Sequence, residues 1–305
     1  MTLFRIDKNL EFIKEKPFKL EREIQKLIEE NLNTIFGVEF VKSEFALNQF
    51  RIDTLAFDKE SNSFVIIEYK RDKNFSVIDQ GYAYLSLMLN NKADFILEFN
   101  ENRAKILKRN DVDWSQSRVV FVSPKFTNYQ KEAINFKDLP IELWEVKRFE
   151  NNTVSFDQIE KSNSAESIKT ISKSDTEDKE ITDELKVFTE KEHIEKSEFG
   201  IRETYENFKE RILAFGDNIR LNPRKHFVGF KVDGNTFCDF VFQSKTLKIF
   251  INLKSGKLED SKNIARDVSN VGHWGNGAYE IKIKDSEEME YILSLIKQSY
   301  RKNGK

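Results

Sequence analysis

Apolar residues first fall into a helical rhythm. Over "FKLEREIQKLIEENLNTIF" Leu20, Ile24, Leu27, Ile28 and Leu32 recur at three- and four-residue spacing with charges on the other face, which predicts an amphipathic helix. The rhythm then shortens. "FRIDTLAF" and "SFVIIEYK" are rich in strand formers and predict two strands, with the polar "DKESNS" between them as a turn. "SVIDQGYAYLSLMLNN" predicts a helix opened by Ser76. The apolar runs "ADFILEF" and "SRVVFVSP" predict strands, with further strand-like sequence at "IELWEVKRF".

Between Lys161 and Glu180 the pattern stops. "KSNSAESIKTISKSDTEDKE" has no aromatic and few apolar side chains, so it cannot bury enough surface to order itself and reads as a flexible polar linker. It separates a first domain, residues 1–160, from a second, residues 181–305. The second opens with helical periodicity from Ile181 to Gly216. "HFVGFKV", "TFCDFVF" and "TLKIFINL" follow as strands, the first two joined by "DGN", a strong hairpin signal. "SKNIARDVSN" predicts a helix, "VGHWGNG" a glycine-rich loop, "AYEIKIK" a strand and "EEMEYILSLIKQSY" a last helix. The expectation is an α+β domain with an antiparallel sheet, and no internal repeat relates the two halves.

The first hairpin carries an anomaly. A turn centred between Glu60 and Ser61 sets Phe57 opposite Phe64 and Asp53 opposite Glu68. Alternation then puts Asp53, Leu55, Phe57, Phe64, Ile66, Glu68 and Lys70 on one face, apolar except at one end. A buried charge loses several kcal/mol of solvation unless it is paired or bound to metal. Two carboxylates and an ammonium meeting there therefore need a purpose. Paired carboxylates are hard ligands suited to Mg²⁺, with Mn²⁺ as a substitute, and Mg²⁺ usually takes one or two carboxylates together with waters and substrate phosphate oxygens. Lys70 on the same face could orient an attacking water or stabilise a charged transition state.

Composition narrows the classes. With 305 residues, 39% hydrophobic and 33% charged, the chain can support about two domains with cores of their own. Its single cysteine, Cys238, cannot form an internal disulfide, and the N-terminus lacks a secretory pattern, so a cytoplasmic location is expected. No apolar run approaches the roughly 18 residues of a membrane span. The net charge of −2 hides an asymmetry: residues 196–305 hold twenty basic against fifteen acidic side chains. That balance tolerates a polyanion without requiring one.

Asp53 followed by Glu68-Tyr69-Lys70 resembles the D…ExK signature of the PD-(D/E)XK nuclease superfamily. Gln80 and Tyr84, four apart on the next helix, resemble the QxxxY motif of its RecB-like members, and residues 18–125 resemble the nuclease domain of NucS-type endonucleases. Two departures are visible: Ile52 stands where proline is common before the aspartate, and Phe50 precedes Arg51 in place of glycine. Glu21 or Glu23, with Glu23 preferred, resembles the helical glutamate that some members add to the metal site. The resemblance implies an α/β nuclease-like core of order αβββαβ, a mixed sheet flanked by helices. It also implies Asp53 and Glu68 as metal ligands, Lys70 as the third catalytic group, Gln80 and Tyr84 in support, and Mg²⁺-dependent hydrolysis of DNA. RNA is left open, as are homodimerisation and a role in repair, restriction or defence against foreign DNA. Residues 181–305, most distinctively "ARDVSNVGHWGNGAYEI", resemble an uncharacterised C-terminal domain family often joined to such domains, expected here to bind nucleic acid or a partner.

Plainer readings stand beside these. Asp53, Glu68 and Lys70 could be a structural ion pair, or part of an inactive nuclease fold that binds nucleic acid or protein without cutting. Arg51 and the cluster Arg103, Lys105, Lys108 and Arg109 could contact phosphates, or the cluster could be a solvated helix face. His273, beside Trp274 in a glycine-flanked loop, could do acid–base work, with turn-shaping and packing preferred.

Overall fold

The computed structural model describes residues 2–71, 76–162, 165–167 and 184–304. The chain forms two compact units, one built on residues up to Leu32 and from Val38 to Val187, the other on Asn33–Gly37 and residues from Phe188 onward. Most of the expected linker, residues 163, 164 and 168–180, lies outside the described residues. Two of its described members are held by hydrogen bonds: the Ser162 amide donates to Asn135, and the Glu166 carbonyl accepts from Lys137.

In the first unit a hairpin of β1 (Leu3–Ile6) and β2 (Leu10–Ile13) precedes helix α1 (Glu21–Glu29). Glutamates 21 and 23 in the first turn suit the positive end of the helix dipole, and Ile24 and Ile28 form its buried stripe. The predicted helix is in fact two. The Asn31 side chain donates to the Leu27 carbonyl at the break, and a short α2 (Leu32–Phe36) follows, its residues from Asn33 onward counted with the second unit.

Next come β3 (Glu39–Leu47), β4 (Phe50–Asp58), β5 (Ser63–Tyr69), α3 (Val77–Asn90), α4 (Lys92–Asn102), β6 (Arg118–Ser123), α5 (Asn128–Ala133), β7 (Ile141–Arg148) and β8 (Val154–Gln158). The six strands from β3 to β8 make one mixed sheet in chain order, antiparallel at both ends and parallel for β5–β6 and β6–β7. The β4–β5 register pairs Thr54 with Ile67 and Phe57 with Phe64, as the turn position predicted. Under the sheet, Phe57, Phe64, Phe95 and Phe99 pack ring to ring with centroids 4.9–6.3 Å apart.

"ADFILEF", predicted as a strand, is the body of α4. Phe95, Ile96 and Phe99 are buried while Leu97 is exposed, a helical spacing that a short apolar run conceals. Strand β3 was not anticipated. A bulge between Phe40 and Lys42, and Glu44 at φ +54°, interrupt the two-residue alternation by which strands are recognised.

The second unit contains α6 (Glu190–Ile194), α7 (Phe199–Leu213), β9 (Ile219–Pro223), β10 (Val228–Val232), β11 (Asn235–Gln243), β12 (Thr246–Ile251), β13 (Arg266–Asp267), β14 (Tyr279–Ile283) and α8 (Met289–Asn303). Its sheet runs β13-β14-β12-β11-β10-β9, antiparallel throughout. Asp233 and Gly234 both have positive φ, as the "DGN" hairpin demands. Tyr205 and Phe208 of α7, Ile292 and Ile296 of α8, and Phe230, Phe237 and Phe240 of the sheet share one core.

The single helical run expected from Ile181 is two helices in its described part, broken before Ser197, whose hydroxyl donates to the Gln243 carbonyl. "SKNIARDVSN" is not a helix: its turns are held by Asp260, which accepts from the Ala265 amide, and by Asp267, which accepts from Ser269. Such side-chain-to-backbone bonds offer the backbone an alternative to helix. Among the described residues no helix is long and apolar enough to cross a membrane.

Candidate active site

The site forms where β4 and β5 stop pairing. Thr54 and Ile67 are the last paired residues; beyond them the Asp53 carboxylate takes over, its Oδ2 accepting from the Tyr69 amide at 3.0 Å. Burial raises the Asp53 carboxyl from 3.8 to about 7, and the nearby Glu68 charge adds to the rise. The Tyr69 amide and the Lys70 charge oppose it, and Glu44 contributes weakly in the same direction as Glu68.

Glu68 is only 3% exposed. Its Oε1 accepts from Lys70 Nζ at 2.7 Å and from Gln80 Nε2 at 3.0 Å, while its buried Oε2 has no hydrogen-bond partner. A carboxylate oxygen in that state is uncommon, because leaving it unsatisfied costs about 1–3 kcal/mol or more.

Helix α3 closes the site from the other side. Ser76 caps it by accepting from the Asp79 amide, and the four-residue spacing sets Gln80 beside Tyr84. Gln80 Nε2 also lies 3.2 Å from the Tyr84 hydroxyl, which donates to the Arg51 carbonyl at 3.3 Å. Burial, with the Glu68 charge adding to it, keeps the Tyr84 hydroxyl protonated by raising its pKa well above the usual value. The pair thus connects Glu68 to the start of β4.

Of the two helical glutamates, Glu23 bonds Arg148 at 3.1 Å, and Glu21 accepts from the Arg71 amide at 2.9 Å. Glu21, not Glu23, lines an open cleft of about 640 Å³ together with Arg22, Gln25, Glu44, Arg51 and Asp53. Arg51 itself pairs with Glu44 at 2.8 Å. The basic cluster does not share a helix face: Arg103 follows the end of α4 and pairs with Glu39, Lys105 and Lys108 lie in loops, and Arg109 begins a single 3₁₀ turn.

Sequence reasoning missed Gln25 and Glu44. Gln25 Nε2 lies 3.1 Å from the Asp53 carbonyl, the Ser43 hydroxyl and Glu44 Oε1, joining α1 to two strands at the site. Its signal was faint: a polar residue next to Ile24 in a helix otherwise read as core stripe and solvated face.

Among the described residues no group of three or more His, Cys, Asp or Glu side chains is arranged to hold a metal. The donor set of Asp53 and Glu68 nevertheless fits a cation that needs only one or two protein carboxylates, and the unpartnered Glu68 Oε2 is an oxygen that such an ion would satisfy.

Over 303 residues the chain is 53% identical to a Haemophilus influenzae protein described as uncharacterised, covering 99% of this chain and 100% of that one. The chain belongs to that protein's family. Residues 190–303, within the second unit, match the family model "Domain of unknown function (DUF5655)". Solved structures resemble part of the chain at low identity. An EndoMS–dsDNA complex aligns at 16% identity and TM-score 0.27, covering 44% of this chain and 60% of that one. A repair endonuclease from Pyrococcus abyssi aligns at 18% and 0.23, with the same coverage. Pyrococcus furiosus SfsA in complex with Ca²⁺ aligns at 11% and 0.25, covering 50% and 78%. The alignment spans about three fifths of the endonuclease chains, and these scores are too low to assign a residue by superposition.

Proposed function

We propose that the first unit is a Mg²⁺-dependent nuclease of the PD-(D/E)XK type that hydrolyses DNA phosphodiester bonds. The observation that carries this reading is the buried Glu68, with one oxygen held by Lys70 and Gln80 and the other without a hydrogen-bond partner, beside an Asp53 whose pKa its charge helps to raise. A fold that needed only a structural ion pair would gain nothing from a second, half-buried carboxylate at the same strand end.

Asp53 and Glu68 would hold the cation, which when bound supplies a water of lowered pKa and offsets charge building on the phosphate. Gln80, fixed by Tyr84, keeps Glu68 Oε1 turned toward Lys70. The Lys70 ammonium brings a positive charge beside the reacting phosphate, where it can hold the attacking water. Asp53 must lose its proton before it can serve as a ligand, so its raised pKa makes loading of the site pH-dependent.

One observation favours the alternative, a module that binds without cutting: Lys70 already neutralises Glu68 at 2.7 Å. Incubating the purified chain with single- and double-stranded DNA and RNA, plus Mg²⁺ or Mn²⁺, separates the two. Cleavage should fall by roughly 10²–10³ in Lys70→Ala and Glu68→Gln. Cleavage by both variants at the parent rate would reject the nuclease reading.

A further inference from the structure

In the second unit, "VSNVGHWGNGA" (Val268–Ala278) leads from β13 to β14 and displays a large ring in water. Trp274 is 64% exposed, and Val271 of the same loop is 46% exposed. A disordered loop could do the same by accident. This loop is instead fastened at almost every step.

The Val268 amide donates to the Ala278 carbonyl at 2.7 Å, closing the base. Asp239, fully buried on β11, accepts the Asn276 amide. His273 stacks on Phe250 at 5.2 Å and 8°, and its two ring nitrogens lie 2.7 Å from the Val271 carbonyl and 3.0 Å from the Gly277 carbonyl. A neutral imidazole carries one N–H, so in either tautomer one of these carbonyls accepts a hydrogen bond and the ring is tied to its own loop. Two glycines are obligatory. A Cβ at Gly275 would fall 2.2 Å from the Phe250 ring, and Gly277, at φ +85°, would bring one to 2.2 Å from the Ile251 carbonyl oxygen. All of this holds a tryptophan that adds little to the core.

What lies against Trp274 names the occupant. One face of the indole stacks on His226, with centroids 3.8 Å apart and planes at 24°. His226 follows Arg224 and Lys225, and the Arg224 carbonyl faces His193 Nε2 at 2.7 Å. The other nitrogen of His193 lies 3.5 Å from the ammonium of the exposed Lys196. A rigid exposed indole thus adjoins a segment rich in cations, within the part of the chain whose charge balance is positive. An aromatic ring for bases beside cations for phosphates is the arrangement that binds single strands without reading sequence.

We propose that this loop is a stacking platform for single-stranded DNA, with a base on the indole of Trp274 and the backbone along Lys196, Arg224 and Lys225. The choice of DNA over RNA rests on the nuclease reading of the first unit; the platform itself does not. Duplex DNA, whose bases are already stacked, has no ring to offer.

The test uses the full chain in EDTA, so that binding is read without cleavage. The probe is a fluorescein-labelled oligothymidylate of about fifteen nucleotides, a length matched to common single-strand site sizes, beside an RNA of the same length and a DNA duplex. Trp274→Ala should weaken oligothymidylate binding about tenfold, while Trp274→Phe keeps most of the affinity and duplex binding is unchanged. Neutralising Lys196 and Lys225 together should lower the salt dependence of binding, which Trp274→Ala leaves intact. Thermal melting of each variant guards against unfolding, and Trp274→Phe preserves the ring if alanine unsettles the loop. Parent-like binding by Trp274→Ala, equal losses for duplex and single strand, or tighter binding to RNA than to DNA would each overturn the proposal.

Discussion

The strand end at Asp53 and Glu68 and the loop at Trp274 break opposite rules of protein interiors. The first places carboxylates where water is scarce; the second leaves an indole where water is plentiful. Each exception is held by a different device. The carboxylates, Glu68 buried and Asp53 half-buried, are held by polar partners: the Tyr69 amide for Asp53, Lys70 and Gln80 for Glu68. The exposed ring is held by shape, through two glycines, a buried aspartate and a histidine whose N–H bonds its own loop. Charge chemistry is thus tunable by single partners, whereas the aromatic platform depends on backbone geometry that substitutions break outright.

The largest expected effect tests that contrast at the loop. Gly277→Ala should destabilise the second unit by about 3 kcal/mol, because positive φ and a clash with backbone act together. Gly256→Ala, at φ +73° with nothing within 4 Å, should cost only about 1 kcal/mol. Urea midpoints measure both; equal losses would mean that the close approach to Ile251 contributes nothing.

At the strand end the corresponding loss is smaller and chemical. Gln80→Ala removes one of the two hydrogen-bond partners of Glu68 Oε1 and leaves Lys70 in place. Metal affinity, read by calorimetry, should fall roughly 10–100-fold, as is typical when a group that orients a ligand is removed, with the melting temperature nearly unchanged. An unaltered affinity would separate Gln80 from the site.

Protonation sharpens the comparison further, because the first site titrates through Asp53. Asp53 binds its proton more tightly in the folded chain, with a pKa of about 7 against 3.8 ordinarily. Its contribution to stability is therefore complete below about 3.8 and is lost as pH rises through about 7. Metal loading has the opposite sign: affinity should rise about tenfold per pH unit up to roughly neutral pH and then level off. Asp53→Asn should flatten the stability profile of the metal-free protein, and a profile of unchanged slope would show that another group titrates.

How much of this the sequence disclosed follows from the same contrast. The β4–β5 hairpin was legible because its register depends on local signals, a polar turn and two-residue alternation, and these brought Asp53 and Glu68 to one strand end. Gln80 and Tyr84 were legible because four-residue spacing needs only a helix. Strand β3 was hidden by its own bulge, and α4 by an apolar run that suits either period. The Trp274 loop was least legible. Its fasteners, Asp239, Phe250 and Ile251, lie on β11 and β12, and nothing local in "VGHWGNG" announces them.

The smallest effect probes the residue that bulge concealed. Glu44 sits at φ +54° in β3, bonded by Gln25 and Arg51, and its charge is the weakest of those raising the Asp53 pKa. Glu44→Gln keeps the side-chain length and the carbonyl oxygen that Gln25 bonds, but removes the charge. The pH at which metal affinity levels off should then move slightly downward, by less than in Glu68→Gln, whose larger effect acts on Asp53 from the next strand. A shift upward would mean that the Arg51 charge, released from Glu44, does not reach Asp53 and that the tie through Gln25 matters more than the field. The loop at Trp274, which shares no contact with Glu44 among those described, should bind oligothymidylate equally well in this variant.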